Sequence, residues 1–343
     1  MIERTSYRKI SWLTDWRGIK HSIGESLGWG FPEQPSLNKG VLDALAATNI
    51  DENWITNEIT MAVMNHPLNT MEYPFAGERI YDHPLIDFIA GDDPIFNKYK
   101  EIIGPHHLTP YDWLAWQARN NKVTPPLPQD ISVVSFILPM TENTITDNVK
   151  MNEWPAERWA QTRLRGELFM QAMVREIITR LMQSGILAVA PDHTPLMRKK
   201  RYPNSGWASP WSHRHVAYAA GLGTFGLHDF LITEKGAAHR CGSFIVNLKL
   251  KQIRARQSNI HAYCLNYNGY NCQKCATRCP VGAISASGHS KDMCYKHVSK
   301  SLAYVNKNYH IFAYSCGLCS VSVPCMTAIP QKIREKYLDS ENI

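Results

Sequence analysis

The sequence predicts an α+β chain that ends in a small cysteine-rich module. Three observations predict it. Short apolar, β-branched runs alternate with one long stretch of helical periodicity, the pattern of a mixed architecture. Eight of the nine cysteines fall between positions 264 and 325. A chain of 343 residues also buries a substantial core, enough for one large domain and a smaller appended one. We divide it into a covering region at 1–130, an α/β core at 131–255 and the cysteine module at 256–343.

Residues 1–130 are rich in Pro, Trp, His and Asn and weak in periodicity, so they read as a layer over the core. Within them "HPLNTMEYPFAGERIYDHPLIDF" (66–88) predicts an irregular, aromatic-lined segment with short helices. The run "ISVVSFILPM" (131–140) is apolar and β-branched, the mark of a buried strand. An amphipathic helix spans roughly 155–184, with Pro155 in its first turn and Met170, Met173, Val174, Ile177 and Leu181 at helical spacing. Its methionines fill the core. "ILAVAP" (186–191) follows as a second strand and completes a strand–helix–strand unit. "SPWSHRHVAYAAGLG" (209–223) reads as a helix that ends in a glycine turn. "DFLIT" (229–233) and "SFIVNLKL" (243–250) predict two more strands, joined through the turn "EKGAA".

The composition is that of a globular protein, with 44% hydrophobic and 20% charged residues. A formal net charge of +7 is mild, and the cations are scattered apart from "RKKR" at 198–201. Charge therefore gives no strong argument for nucleic acid; an acidic donor protein or an anionic cofactor suits it as well. The basic run is expected to be a solvated face or a docking site for an acidic ferredoxin or flavodoxin. Residues 1–20 carry no apolar signal core and no twin arginine, and no run of ~18 apolar residues exists to span a membrane. The expectation is a cytoplasmic protein without a membrane span. In a reducing compartment cysteines grouped like these bind metal in preference to forming disulfides.

"NCQKCATRCPVGAIS" places Cys272, Cys275 and Cys279 before Pro280, which is similar to one half of a bacterial two-cluster ferredoxin. The usual spacing would put a further cysteine at 269, where this chain has Gly269. Cys264, five residues upstream, stands in for it. Cys294, Cys316, Cys319 and Cys325 complete a set of eight, the number two 4Fe–4S clusters require. In the ferredoxin fold the last cysteine of each motif crosses to the other cluster. That similarity implies one cluster on Cys264, Cys272, Cys275 and Cys325, and a second on Cys279, Cys294, Cys316 and Cys319. A tetrahedral zinc site is the rival, since C-x2-C pairs suit it too, although the x3-C-P tail favours iron–sulfur. Cys241, in "HRCGSFIV", reads as a small core residue.

"GLGTFG" (221–226) satisfies G-x-G-x-x-G through Gly221, Gly223 and Gly226, but it follows a helix and opens a strand, the reverse of a dinucleotide fingerprint. A turn that brings backbone close to a flat cofactor is the better reading. "RHVAYAAGLGTFGLHDFLIT", then "GSFIVNL", then a ferredoxin-like module, resembles the cobalamin-dependent epoxyqueuosine reductases and the reductive dehalogenases. The resemblance covers roughly 186–330. It implies a nitroreductase-like α/β sandwich that binds a base-off corrinoid, fed with single electrons through the two clusters from a low-potential donor.

On that resemblance Ser212, His215, Gly221, Leu222, Gly223, Thr224, Phe225 and Gly226 are expected to bind the corrinoid. Arg214 matches a family arginine and is expected to steady a departing anion. Tyr202 is expected to donate a proton, with His213, His215 and Asp192 behind it. Trp207 stands where epoxyqueuosine reductases carry an acidic proton donor, and His213 where they carry a glutamate. Indole cannot act as a general acid, so the sequence argues against a tRNA substrate and for a small one, an organohalide included. The alternatives are an electron-transfer or corrinoid-reactivating protein without a small-molecule substrate, and a tRNA-modifying reductase.

Overall fold

The computed structural model describes residues 49–202 and 206–337, so the reading of residues 1–20 lies outside the described residues. Helix α1 (Glu52–Asn65) starts at Asp51, whose carboxylate accepts the Trp54 amide. Strand β1 (Leu85–Ala90), α2 (Ile95–Ile102), α3 (Pro110–Asn120), β2 (Ser132–Pro139), α4 (Glu142–Val149) and the long helix α5 (Glu157–Gln183) follow. Next come β3 (Ala188–Val189), β4 (Lys200–Tyr202), β5 (Gly206–Ala208), α6 (His213–Ala219), β6 (Gly223–Phe225), β7 (Leu231–Thr233) and β8 (His239–Val246). The cysteine region holds α7 (Lys274–Thr277), β9 (Ile284–Ser285), β10 (Gly288–His289), α8 (Lys291–Tyr309) and α9 (Gln331–Tyr337).

The main sheet has the order β1–β2–β8–β3, with every neighbouring pair antiparallel. Strand β2 is buried at all positions, Ser132 and Ser135 included. Alternate residues then serve two different cores. Val134, Phe136 and Leu138 of β2 join Phe244 and Val246 of β8 against Phe169, Met173 and Ile177 of α5 and Ile55 and Ile59 of α1. Val133, Ile137 and Ile245 face the other way, onto Trp113 of α3 and Val216 and Ala217 of α6. The sheet is thus sandwiched between helices. Gly166 sits in mid-α5 because the Tyr81 hydroxyl occupies the place of a Cβ there.

A third core joins the hairpin β6–β7 to the cysteine region. Leu227 and Ile232 pack with Tyr263, Cys264, Cys275, Ile284, Val323 and Ile333. Among the described residues no helix is long and apolar enough to cross a membrane.

The expected strand at 131–140 is β2, and the expected helix at 155–184 is α5. Pro155 lies just before that helix, since Ala156 is its N-cap. The strand expected at 186–191 pairs only over β3, and the one expected at 243–250 is shifted back to 239–246. The segment 66–88 contains no helix. Its last residues instead begin β1, which the sequence did not announce because Asp87 interrupts the apolar run. That carboxylate is fully buried and accepts the Ile253 and Arg254 amides at 2.8 and 2.9 Å, with the Arg254 guanidinium 3.2 Å away.

Candidate functional site

The loop from Cys264 to Cys272 shows what Gly269 does. A short helical turn over Asn266–Asn268 ends at Gly269 in the left-handed conformation, φ 85°. The Asn268 side chain donates to the carbonyls of His261, Ala262 and Cys264. The loop is thereby folded back toward the C-x2-C pair by a turn at the very position where ferredoxin spacing would have a ligand.

The thiols that act on one another fall into two sets. Burial pushes the Cys275 thiol up to about 12, and Cys264 and Cys272 add like-charge repulsion. Burial also pushes Cys325 up, with Cys264, Cys275 and Cys272 adding to it. Cys316 is pushed up to about 11 by burial, then by Cys294 and Cys279 against an opposing hydrogen bond from the Leu318 backbone. Cys319 rises well above the thiol range through burial and its neighbours Cys316, Cys294, Cys275 and Cys279. The Cys275 contribution to Cys319 shows that the sets adjoin. Cys241 belongs to neither: its sulfur faces His239 Nδ1 at 3.6 Å in β8, and burial raises its thiol to about 12. Among the described residues no three His, Cys, Asp or Glu side chains converge as they would around one metal ion.

Helix α6 carries the other candidates. Its first residue, His213, uses both ring nitrogens: Nε2 lies 2.8 Å from Asp192 Oδ2, and Nδ1 2.8 Å from Ser243 Oγ. Ser243 Oγ also accepts the Trp211 indole N–H at 2.9 Å. A chain Trp211–Ser243–His213–Asp192 results, and a small cavity beside it is lined by Phe136, Met170, Asp192, His193, His213 and Ser243. Arg214 points elsewhere. It donates to the Asp229 carbonyl and lies 5.7 Å over the Phe230 ring.

His215 bonds to Ser212, Nδ1 to Oγ at 2.7 Å, and its ring meets Tyr99 at 5.1 Å and Phe225 at 4.8 Å. Burial lowers it to about 3, with Arg214 adding to the effect, so it is neutral. His107 is fully buried against Tyr99 and Trp211, and neither ring nitrogen has a hydrogen-bond partner among the described residues. Burial lowers it to about 4. Tyr202 stands on a different wall, its ring 4.7 Å from His106.

The "GLGTFG" turn is packed by the chain itself. A Cβ on Gly221, whose φ is 77°, would stand 2.6 Å from the Arg254 carbonyl oxygen, and one on Gly223 2.5 Å from that of Ile232. Thr224 Oγ1 accepts the Tyr263 amide, and the Phe225 amide donates to Ile260. The turn therefore ties α6 to the cysteine region. Beyond it Asp229 Oδ2 lies 3.0 Å from His289 Nδ1. Burial alone would lower His289, but hydrogen bonds to Asp229 and Cys294 raise it to about 9.

Structure brings His213, Asp192 and Ser243 together, and keeps Arg214 and Tyr202 in separate contacts. Sequence reading missed Ser243, Tyr99, His107, His228 and His289. Of these only His228 had a signal, through its place just after the glycine motif.

No family model matches this chain. It is 30% identical over 103 residues to a tetrachloroethene reductive dehalogenase of Desulfitobacterium hafniense, covering 30% of this chain and 18% of that protein. It is 37% identical over 78 residues to a tetrachloroethene reductive dehalogenase of Dehalobacter restrictus, covering 22% of this chain and 13% of that one. The chain thus matches less than a fifth of the length of these curated relatives. Similar solved structures include a catabolic reductive dehalogenase, NpRdhA, with TM-score 0.43 and 15% identity over 74% of this chain and 31% of that one. The epoxyqueuosine reductase of Bacillus subtilis gives TM-score 0.34 and 14% identity over 81% of this chain and 68% of that one. Reductive dehalogenases and epoxyqueuosine reductases are the two groups whose motifs the sequence resembles.

Proposed function

We propose that this chain is a corrinoid- and iron–sulfur-dependent reductase. It passes single electrons through two 4Fe–4S clusters to a base-off cobalamin and reductively cleaves a carbon–halogen or carbon–oxygen bond. The sorting of eight thiols into two sets of four carries this reading. Cys264, Cys272, Cys275 and Cys325 would hold one cluster, and Cys279, Cys294, Cys316 and Cys319 the other. Buried thiols held this high ionise only against a cationic centre. Zinc would gather four sulfurs about one point at ~2.3 Å, whereas a cluster takes one thiolate per iron and spreads them.

Ser212, His215 and the 221–226 turn would border the corrinoid, whose low-valent cobalt supplies a strong nucleophile and reductant when bound. The wall beside them suits a flat, largely apolar ring: Tyr99, Trp211 and the neutral His107 and His215. The two unpartnered nitrogens of His107 are polar groups that a ligand would satisfy. Arg214 supplies the cation for a departing anion. His213, set between a carboxylate and a hydroxyl, holds a proton at Nε2 or Nδ1 for delivery; Tyr202 is the other donor. We assign the 131–255 stretch as a nitroreductase-like corrinoid domain and 256–343 as a ferredoxin-like module. A low-potential ferredoxin or flavodoxin donates the electrons, the substrate is an organohalide or similar small molecule, and the location is cytoplasmic.

A second reading, an electron-transfer or corrinoid-reactivating protein, is favoured by the closed packing of Gly221 and Gly223 on their own chain. The exposed Trp207 in place of an acid weighs against tRNA-base reduction. Cobalt analysis and the absorption spectrum of anaerobically prepared chain separate the first two. About one corrinoid per chain supports the enzyme; cluster absorption without corrinoid, even after reconstitution with cobalamin, supports the electron carrier.

A further inference from the structure

His228 has no part in the reading above, yet it is only 1% exposed and lies beside a proposed cluster ligand. Its Nδ1 accepts the Phe230 backbone N–H at 3.1 Å. An amide can only donate, so Nδ1 carries no proton. An imidazole whose one nitrogen accepts a hydrogen bond is neutral and carries its single ring proton on the other nitrogen. That proton must therefore sit on Nε2, and Nε2 lies 3.7 Å from Cys325 Sγ.

The ring is held in this place from two sides. It stands edge-on to Phe230, with centroids 5.6 Å apart and planes at 87°. Gly226, the third glycine of "GLGTFG", leaves the room: a Cβ there would lie 2.5 Å from His228 Cε1. The same turn serves the other thiol set through Asp229, which holds His289 against Cys294. It also receives the Arg214 guanidinium at the Asp229 carbonyl.

We propose that His228 is a positioning residue for the Cys264, Cys272, Cys275 and Cys325 set, its Nε2–H donating to the Cys325 sulfur and raising the reduction potential of the cluster held there. This rests on the cluster reading above. Reduction adds one electron, much of whose charge reaches the sulfurs, and an N–H aimed at a thiolate stabilises the reduced state more than the oxidised one. The effect makes this cluster easier to reduce from a given donor than its thiolates alone would allow.

The test is an EPR-monitored potentiometric titration of the full chain, reconstituted anaerobically with iron and sulfide and reduced with dithionite. In His228→Phe one midpoint moves to more negative potential while the other holds and iron content is unchanged. His228→Gln, which keeps an N–H donor, moves back toward wild type. In a Cys294→Ser background, where the other set is broken, the remaining cluster is the one that shifts. Should His228→Phe take up too little iron, Gly226→Ala, whose Cβ displaces the ring, reads the same negative shift. Unmoved midpoints, equal shifts of both, or a positive shift in an iron-replete variant overturn the inference alone. A wild-type chain that takes up no cluster overturns the reading beneath it as well.

Discussion

In the sheet core, buried charge meets its opposite. Asp87 is held by the Phe88, Ile253 and Arg254 amides and the Arg254 guanidinium, and Arg158 lies between Glu78 and Asp147. Arg158 lowers the Glu78 carboxylate, and Lys150 with Arg158 lowers that of Asp147 against its burial. In the cysteine region, buried groups meet their own kind: Cys275, Cys316, Cys319 and Cys325 are pushed up by burial and by other thiols. The buried carboxylate of the first region is balanced as it stands. On the proposed reading the second is completed by the clusters inside it, so the two should respond in opposite ways to loss of metal and to loss of a side-chain partner.

Chelation should break the comparison most visibly. Removing iron anaerobically is expected to strip hydrogen-exchange protection from residues 256–337 while amides of β1, β2 and β8 keep theirs. Equal loss in both regions would refute the distinction. Next, Cys264→Ser should cost about four of about eight irons, because only one set loses a ligand. Iron per chain, measured on variant and wild type in parallel, reads this; full retention would show that Cys264 is not a ligand. Asp87→Ala should work the other way round, destabilising the core by about 3 kcal/mol in urea unfolding with iron content unchanged.

Reckoned per group and per pH unit, the smallest effect is that of acid. His107 and His215 lie at about 4 and about 3 in the folded chain, below the imidazole value of ~6.5 in the unfolded one. Between these limits the unfolded chain binds more protons, so stability rises with pH there. The contribution is full above ~6.5 and is lost as pH falls toward 4 and 3, by at most about 1.4 kcal/mol per group per unit. Urea midpoints at neutral and mildly acidic pH should show the slope, and His107→Phe should flatten it. A slope unchanged by that substitution would place the proton uptake elsewhere.

Much of the sheet was legible because its signals are local. Strand β2 lies in one short, mostly apolar run with Val133, Val134 and Ile137, and the apolar face of α5 repeats at helical spacing within a single segment. Strand β1 was not legible, because what makes Asp87 tolerable is Arg254, 167 residues away. Helix α8 was hidden differently: its buried residues His297, Ser301 and Val305 keep helical spacing, but two of the three are polar. At the site, counting cysteines before a proline was enough to suggest two sets. Gly269 was visible as a gap in spacing and not as the left-handed turn that closes it. His213 could be named from its place in a motif, whereas its partners Asp192 and Ser243 come from 21 residues before it and 30 after.

The central claim is that the eight thiols hold two four-iron clusters, and it is tested most directly by iron, sulfide and zinc analysis of the anaerobically prepared full chain. About eight irons and about eight acid-labile sulfides per chain are expected. One or two zinc ions per chain with no labile sulfide would contradict it.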